Sequence, residues 1–248
     1  MIRTLKTQDE LQACRTRLKE RGLDFTDPKA LALWRLPYKI RYRLDLPSAD
    51  PIKSWDVLHA IELIEEHVPD HDAPILDMGC FNSEVVYGLQ RLGYRQVHGC
   101  DLNPSCRWMP YWNKIKYRHA DLTKTPYADH SFGAITCLSV VEHGVPLDPF
   151  ADEVTRLLKP GGLFLFTTDF DATGQTPEVD PETRLFGQPW TIFNPETLAA
   201  LIERFQSRGF RLARPDTTET DHAGRPIGWE GREYTFAMVG LLAPMTKD

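Results

Sequence analysis

At 248 residues the chain is long enough for one large domain, or one domain with an appendage, and for a core of its own. Hydrophobic residues make up 42% and charged ones 26%, ordinary proportions for a globular fold in water. The formal net charge of −6 argues against general binding to nucleic acid or an anionic membrane, both of which need a basic face, and leaves room only for a local basic patch. The five cysteines (Cys14, Cys80, Cys100, Cys106, Cys137) form no C-x-x-C pair, which points to a reduced protein without a structural zinc. No long apolar run opens the sequence, so neither a signal peptide nor a membrane span is expected, and the cytoplasm is the default compartment.

The predicted elements alternate. Thr7 and Glu10 form a capping box for a helix that runs to Arg21 and stops at Gly22. Residues 23–52 carry Pro28, Pro37, Pro47 and Pro51 and read as irregular. Within them Arg35, Lys39, Arg41 and Arg43, interleaved with Tyr38 and Tyr42, form a run able to grip a phosphate or carboxylate, although such runs are more often solvated faces. Ser54 is expected to cap a helix whose Val57, Ile61, Ile64 and Val68 share one face.

From Ala73 the pattern turns to strand and helix in alternation. Strands are expected at Ile75-Leu76, 97–100, 115–120, 132–138 and 163–166, the fifth after a helix ending at Lys159-Pro160-Gly161-Gly162. Ser83 caps a helix from Glu84 to Leu92, and Asn194 with Pro195 opens another whose Leu198, Leu201, Ile202 and Phe205 align. Two late strands follow, at 210–213 and 234–242. The sum is an α/β fold: a doubly wound, Rossmann-like, mostly parallel sheet of about seven strands with helices on both faces, plus an N-terminal helical extension. Residues 1–70 are assigned to that extension and 71–248 to the sheet domain, with 172–193 as a lid insert of little helical periodicity.

The most informative stretch is Pro74-Ile75-Leu76-Asp77-Met78-Gly79-Cys80-Phe81-Asn82-Ser83-Glu84. An apolar run ends in an acid, turns through glycine and meets a helix cap, the place where an open parallel sheet holds a nucleotide-like ligand. A second acid, Asp101, closes the next apolar run near the distance at which a carboxylate reaches a ribose hydroxyl pair. A dinucleotide site wants the fuller G-x-G-x-x-G, where this chain has Cys80 in place of the second glycine, and a P-loop wants glycine-lysine-serine. An adenosyl ligand without phosphates fits such a turn better.

With these residues the chain resembles the class I S-adenosylmethionine-dependent methyltransferases. The resemblance rests on residues 76–83, on Asp101, on Ala120-Asp121-Leu122, on 131–143 and on Leu157-Leu158-Lys159-Pro160-Gly161-Gly162 before a strand. It implies that Asp77 and the backbone of Gly79, Cys80 and Phe81 hold the methionine end of S-adenosyl-L-methionine. It further implies that Asp101 takes both ribose hydroxyls, Asp121 beside Leu122 receives the adenine amino group, Leu102 lies against the ring, and Ser139 sits beside the reacting sulfur. The bland alternative is that these acids merely cap turns.

His143, directly after the fourth strand, is the candidate base or substrate contact, against an ordinary backbone-bonded loop histidine. Asp169, Asp171, Trp190 and Trp112 are the candidate acceptor contacts; Trp112 belongs to an aromatic patch with Trp108 and Tyr111 that fits ordinary packing equally well. No metal ligands are assigned. A loose similarity of 167–170 and 189–194 to bacterial small-molecule and sugar methyltransferases tilts the acceptor toward a small polar molecule, with O-methylation ahead of N-methylation. The reading is thus a methyltransferase with a small-molecule acceptor, without nucleic acid or membrane partners, and of unknown oligomeric state. The alternatives are a nicotinamide-dependent oxidoreductase or a non-catalytic module that binds the same cofactor.

Overall fold

The computed structural model describes residues 1–24, 50–109, 114–176, 182–185, 187–220 and 224–245. In chain order the strands are β1 (Ile2–Thr4), β2 (Ile75–Met78), β3 (Val97–Asp101), β4 (Lys116–His119), β5 (Phe132–Leu138), β6 (Leu158–Phe170), β7 (Arg184–Leu185), β8 (Gln188–Pro189), β9 (Arg211–Leu212), β10 (Ile227–Trp229) and β11 (Arg232–Leu242). The helices are α1 (Gln8–Glu20), α2 (Ser54–His67), α3 (Glu84–Arg91), α4 (Leu147–Leu157) and α5 (Pro195–Gln206), with 3-10 turns at Pro51–Lys53 and Pro104–Trp108.

The main sheet runs β1-β11-β6-β5-β2-β3-β4, with β9 and β10 added beside β11. Strands β6, β5, β2, β3 and β4 are mutually parallel, whereas β11 is antiparallel to β6 and β1 antiparallel to β11. The chain leaves β2 for β3 on one side and later returns to β5 on the other. The carboxyl ends of β2 and β5 therefore flank a topological switch point, where open sheets of this kind hold ligands.

The two faces of the sheet bury different sets of side chains because strand residues alternate. Ile75, Leu163 and Leu165 join α1, α2 and α3 in one core, with Trp55, Leu58, Ile61 and Leu89. Leu76, Phe164 and Phe166 join α4 and α5 in the other, with Phe150, Leu157, Leu201 and Phe205. Each of these fully buried rings and aliphatic groups contributes roughly 1.5–3 kcal/mol relative to exposure. On the first face α3 lies so close to α2 that a Cβ on Gly88 would stand 2.5 Å from Ile61 Cδ1, and the Ile61 side chain would have to shift to admit it.

Strands 75–78, 97–101, 116–119 and 132–138 and the helices begun by Ser83 and Asn194 stand where the pattern puts them. Ser83 Oγ accepts from the Val85 amide, and Asn194 forms a reciprocal box with Thr197. The first capping box is half made. Thr7 Oγ1 accepts from the Glu10 amide at 3.2 Å, while the Glu10 carboxylate turns to the Lys6 amide and to Trp55 Nε1.

Ser54 is not the cap of α2. It is the first helical residue, its hydroxyl donates to the Pro51 carbonyl, and Asp50 caps the preceding 3-10 turn by accepting from the Ile52 amide. The N-terminal segment also holds a strand the sequence did not show, β1. The fifth sheet strand starts at Leu158, without the expected break at residues 159–162, because Leu158 already pairs with Phe132 and the Lys159–Gly162 stretch forms an irregularity before the register resumes at Leu163. All five cysteines are buried thiols. No helix among the described residues is long and apolar enough to cross a membrane.

Candidate active site

A cavity of about 1140 Å³ opens at the carboxyl ends of β2, β3 and β5. It brings together most of the expected residues: Asp77, Gly79, Phe81, Asp101, Leu102, Asp121, Leu122, Ser139 and His143 all line it. The volume exceeds the roughly 300–1,000 Å³ of single-ligand pockets.

The turn after β2 is built for close approach. Gly79 has φ +83°, and a Cβ there would meet Val140 Cγ2 at 2.3 Å, so the β2 turn and the loop after β5 touch through a missing side chain. The turn's amides face inward: those of Gly79 and Cys80 donate to the Cys100 carbonyl at 2.8 and 3.1 Å, and that of Phe81 to Asp101 Oδ2 at 2.9 Å. Two expectations change as a result. The N–H groups of this turn are bonded within the fold, which leaves its carbonyls as the backbone groups for a ligand. Cys80 lies off the cavity, its side chain buried against Gly99.

Asp101 uses one lone pair of each oxygen on backbone, Oδ2 for Phe81 and Oδ1 for the Asn103 amide at 2.7 Å, which leaves a second on each for a ligand. Burial raises its pKa, offset in part by those two amides. Asp121, after β4, accepts from the Thr123 amide and hydroxyl at 2.8 and 2.7 Å, which lowers its pKa. Leu102 is half exposed over the cavity, as a leucine waiting for an apolar ligand face is.

Asp77 is buried at the end of β2. Its Oδ1 accepts from the Thr136 hydroxyl at 2.6 Å, and the Ser83 hydroxyl also lies close to the carboxylate. Burial raises its pKa to about 6, with the Ser83 and Thr136 hydroxyls opposing and the Asp101 charge assisting. A raised carboxyl pKa removes stability as pH climbs from about 4 through 6, because the folded state then carries a poorly solvated charge. Asp77→Asn is therefore expected to stabilise the ligand-free protein at pH 7.5 by on the order of 1–3 kcal/mol, and to weaken a cationic ligand about tenfold or more. Denaturant melts and calorimetry on the same variant check both; a variant less stable than the parent would contradict the electrostatic reading.

On the other side of the cavity Ser139 adopts φ +52°, a strained backbone held by its amide's bonds to the Thr167 carbonyl and hydroxyl at 3.1 and 3.0 Å. Its hydroxyl accepts from Lys53 Nζ at 2.5 Å. His143 has a pKa lowered by burial first and by the Lys53 charge second, so its imidazole is neutral near pH 7.

Three expected acceptor contacts do not reach the cavity. Trp190 is buried beside Tyr234 and donates from Nε1 to Asp169 Oδ2 at 2.8 Å, so both residues fasten the 187–193 segment to the sheet. Asp171 closes its own loop, accepting from the amides of Thr173 and Thr176 and from the Thr173 hydroxyl, which holds its pKa down at about 2. Trp112 and Tyr111 lie outside the described residues, as do Arg35, Tyr38, Lys39, Arg41, Tyr42 and Arg43. Of the 172–193 insert, Gln188 is the described residue that lines the cavity.

Sequence reasoning missed the wall supplied by Asp50, Lys53, Asp56 and Val57. The i, i+3 spacing of Asp50, Lys53 and Asp56 across a helix entrance puts them on one side, a signal that was available. Glu84, also on the cavity, is held by both terminal nitrogens of Arg15 at 2.8 Å. No group of three or more His, Cys, Asp or Glu among the described residues is arranged to hold a metal ion.

Comparison with known proteins agrees with this architecture. Residues 76–166 match the family described as "Methyltransferase domain". Residues 76–166 are a class I S-adenosylmethionine-dependent methyltransferase domain. The segment runs from β2 to β6 and holds every strand at the switch point. A sterol 24-C-methyltransferase of Gibberella zeae is 36% identical over 52 residues, a stretch that covers 21% of this chain and 14% of that protein. Among solved structures, the 1,6-didemethyltoxoflavin-N1-methyltransferase of Burkholderia thailandensis aligns with TM-score 0.57 at 15% identity, covering 87% of this chain and 89% of the other. An S-adenosylmethionine-dependent methyltransferase of Mesorhizobium loti gives TM-score 0.51 at 21% identity, covering 76% and 96%. The [4+2]-cyclase SpnF gives 0.56 at 17%, covering 80% and 85%, so the same fold also serves other chemistry.

Proposed function

We propose that this methyltransferase domain acts on a small polar acceptor, with a hydroxyl oxygen ahead of nitrogen as the receiving atom. The observation that carries the reading is one cavity with room beyond a single ligand, lined by acids and by Ser139 and a neutral His143. The lining also fits S-adenosylmethionine better than a dinucleotide. Its acids Asp77, Asp101 and Asp121 suit ribose hydroxyls and positive charge, whereas the turn amides that would cradle a pyrophosphate are already bonded to Cys100 and Asp101.

When bound, S-adenosylmethionine supplies an electrophilic methyl group on a sulfonium. The chain's part is to hold donor and acceptor in line and to take one proton. An acceptor hydroxyl loses its proton to a ring nitrogen of His143 while its oxygen forms the new bond to the methyl carbon. The electron pair of the broken carbon–sulfur bond stays on sulfur. Asp77, Asp101, Asp121 and Leu102 hold the adenosyl end in this scheme. Residues 1–70 serve as an extension that completes the cavity, 71–248 as the catalytic unit, and 172–193 as its lid.

The test is release of S-adenosylhomocysteine across a panel of hydroxylated small molecules. With an acceptor in hand, His143→Ala is expected to lower kcat about 100-fold or more and to leave S-adenosylhomocysteine affinity unchanged. The wild-type rate should fall on the acid side, as protonation of a base whose pKa lies below the ordinary histidine value removes its lone pair. Turnover by the variant equal to wild type at saturating acceptor removes His143 from that role. NAD binding tighter than S-adenosylmethionine would promote the oxidoreductase alternative.

A further inference from the structure

The cavity lining is lopsided in charge. Asp50, Asp56, Asp77, Glu84, Asp101 and Asp121 are set against Lys53, the one strongly basic side chain among the described lining residues. Lys53 lies on the 3-10 turn before α2, outside the stretch 76–166 that matches the methyltransferase family. Its ammonium donates to Ser139 Oγ at 2.5 Å and rests 4.1 Å from the centroid of the Phe236 ring. The nearest carboxylate, Asp56 Oδ2, is 4.0 Å away, an ion pair without a hydrogen bond.

An ammonium has three donors, and among the described residues one of them is used. The side chain remains 31% exposed and lines the cavity, so the ammonium keeps donor capacity within reach of it. Lys53 also stands next to the β2 turn. It grips Ser139, whose neighbour Val140 is the residue that closes on Gly79. Behind this wall Glu142 and Asp169 are buried, each with its pKa raised first by burial, and the Lys53 charge opposes both shifts.

An amino-acid tail is a zwitterion, and a site for it needs an acid for the ammonium and a cation for the carboxylate. Asp77, at the end of β2 on the cavity lining, supplies the acid. The usual backbone donors for a carboxylate are absent here, since the amides of Gly79, Cys80 and Phe81 are all bonded within the fold. We infer that Lys53 holds the carboxylate of the cofactor's methionine tail. The inference rests on the reading that this cavity takes S-adenosylmethionine, and it assigns tail recognition to a residue outside the shared domain.

Calorimetry with two thioethers separates the possibilities. S-adenosylhomocysteine carries the amino-acid tail, and 5′-methylthioadenosine has the same adenosyl thioether without it. For Lys53→Met the affinity for S-adenosylhomocysteine is expected to fall about 10- to 100-fold, while 5′-methylthioadenosine stays within about threefold of wild type. Lys53→Arg, which keeps the cation, should retain most of the lost affinity. Equal weakening of both ligands in Lys53→Met would mean a structural role, and no change in either would place Lys53 on the acceptor; each result overturns the inference. A wild-type chain that binds neither thioether would instead sink the proposed function.

Discussion

Asp101→Ala is expected to reduce S-adenosylhomocysteine affinity by at least about two orders of magnitude while the protein stays folded. Asp101 sits between two loops, with Oδ2 on the Phe81 amide and Oδ1 on the Asn103 amide, and the remaining lone pairs face the cavity. Hydrogen bonds to a charged group contribute about 1.5–3 kcal/mol each, so losing two of them to a ribose costs roughly 3–6 kcal/mol, or about 10²- to 10⁴-fold. The loss of the two loop bonds adds about 1–3 kcal/mol of destabilisation, a drop of several degrees in Tm for a chain of this size. Asp101→Asn keeps one acceptor and should fall between the two. Calorimetry reads the affinity and circular dichroism the fold. An Asp101→Ala protein that binds the thioether like wild type would reduce Asp101 to a turn cap.

The largest expected effect on stability comes from Arg15→Ala, at about 3–5 kcal/mol of unfolding free energy. Arg15 in α1 is one-tenth exposed, and its terminal nitrogens reach both oxygens of Glu84 at the start of α3 at 2.8 Å. Its Nε donates to Ser54 Oγ at 2.9 Å and its remaining donor capacity goes to the Asp50 carbonyl and to Asp24. One guanidinium thus ties α1, the 3-10 turn, α2 and α3 together. Alanine leaves the Glu84 carboxylate, 3% exposed, without its counter-charge. Because a buried pair replaced as a unit costs little, Arg15→Met with Glu84→Leu is expected to recover most of the loss. Urea unfolding of the singles and the double gives the coupling. Additive losses would show that the two residues act independently.

The parts of the fold that could be read in advance are those whose reason is local. The apolar runs ending in Asp77 and Asp101, the run 132–138 and the caps at Ser83 and Asn194 each carry their signal within a few residues. The parts that escaped depend on distant partners. β1 is three residues long and exists because β11, more than two hundred residues later, offers an edge. Trp190 resembles a lid residue until its indole N–H is seen to reach Asp169, and Asp171 a substrate ligand until its own loop satisfies both its oxygens. The cavity acids Asp77, Asp101 and Asp121 were legible because each stands at or just after the carboxyl end of a strand. Lys53 was missed although its i, i+3 spacing from Asp50 and Asp56 stands in the sequence, because its hydroxyl partner lies 86 residues away in the chain. The committed amides at 79–81 escaped for the same reason: their acceptors are on β3.

The 50–57 wall has a practical consequence for anyone seeking to alter this protein's chemistry. The strands at the cavity floor lie within the matched methyltransferase stretch, whereas the short approach to α2 lies before it. A chimaera that exchanged this entrance alone would replace one wall of the cavity and leave the sheet in place. A fragment cut down to residues 76–166 would keep the floor yet lose one side of the vessel, and with it the lysine that faces the contents.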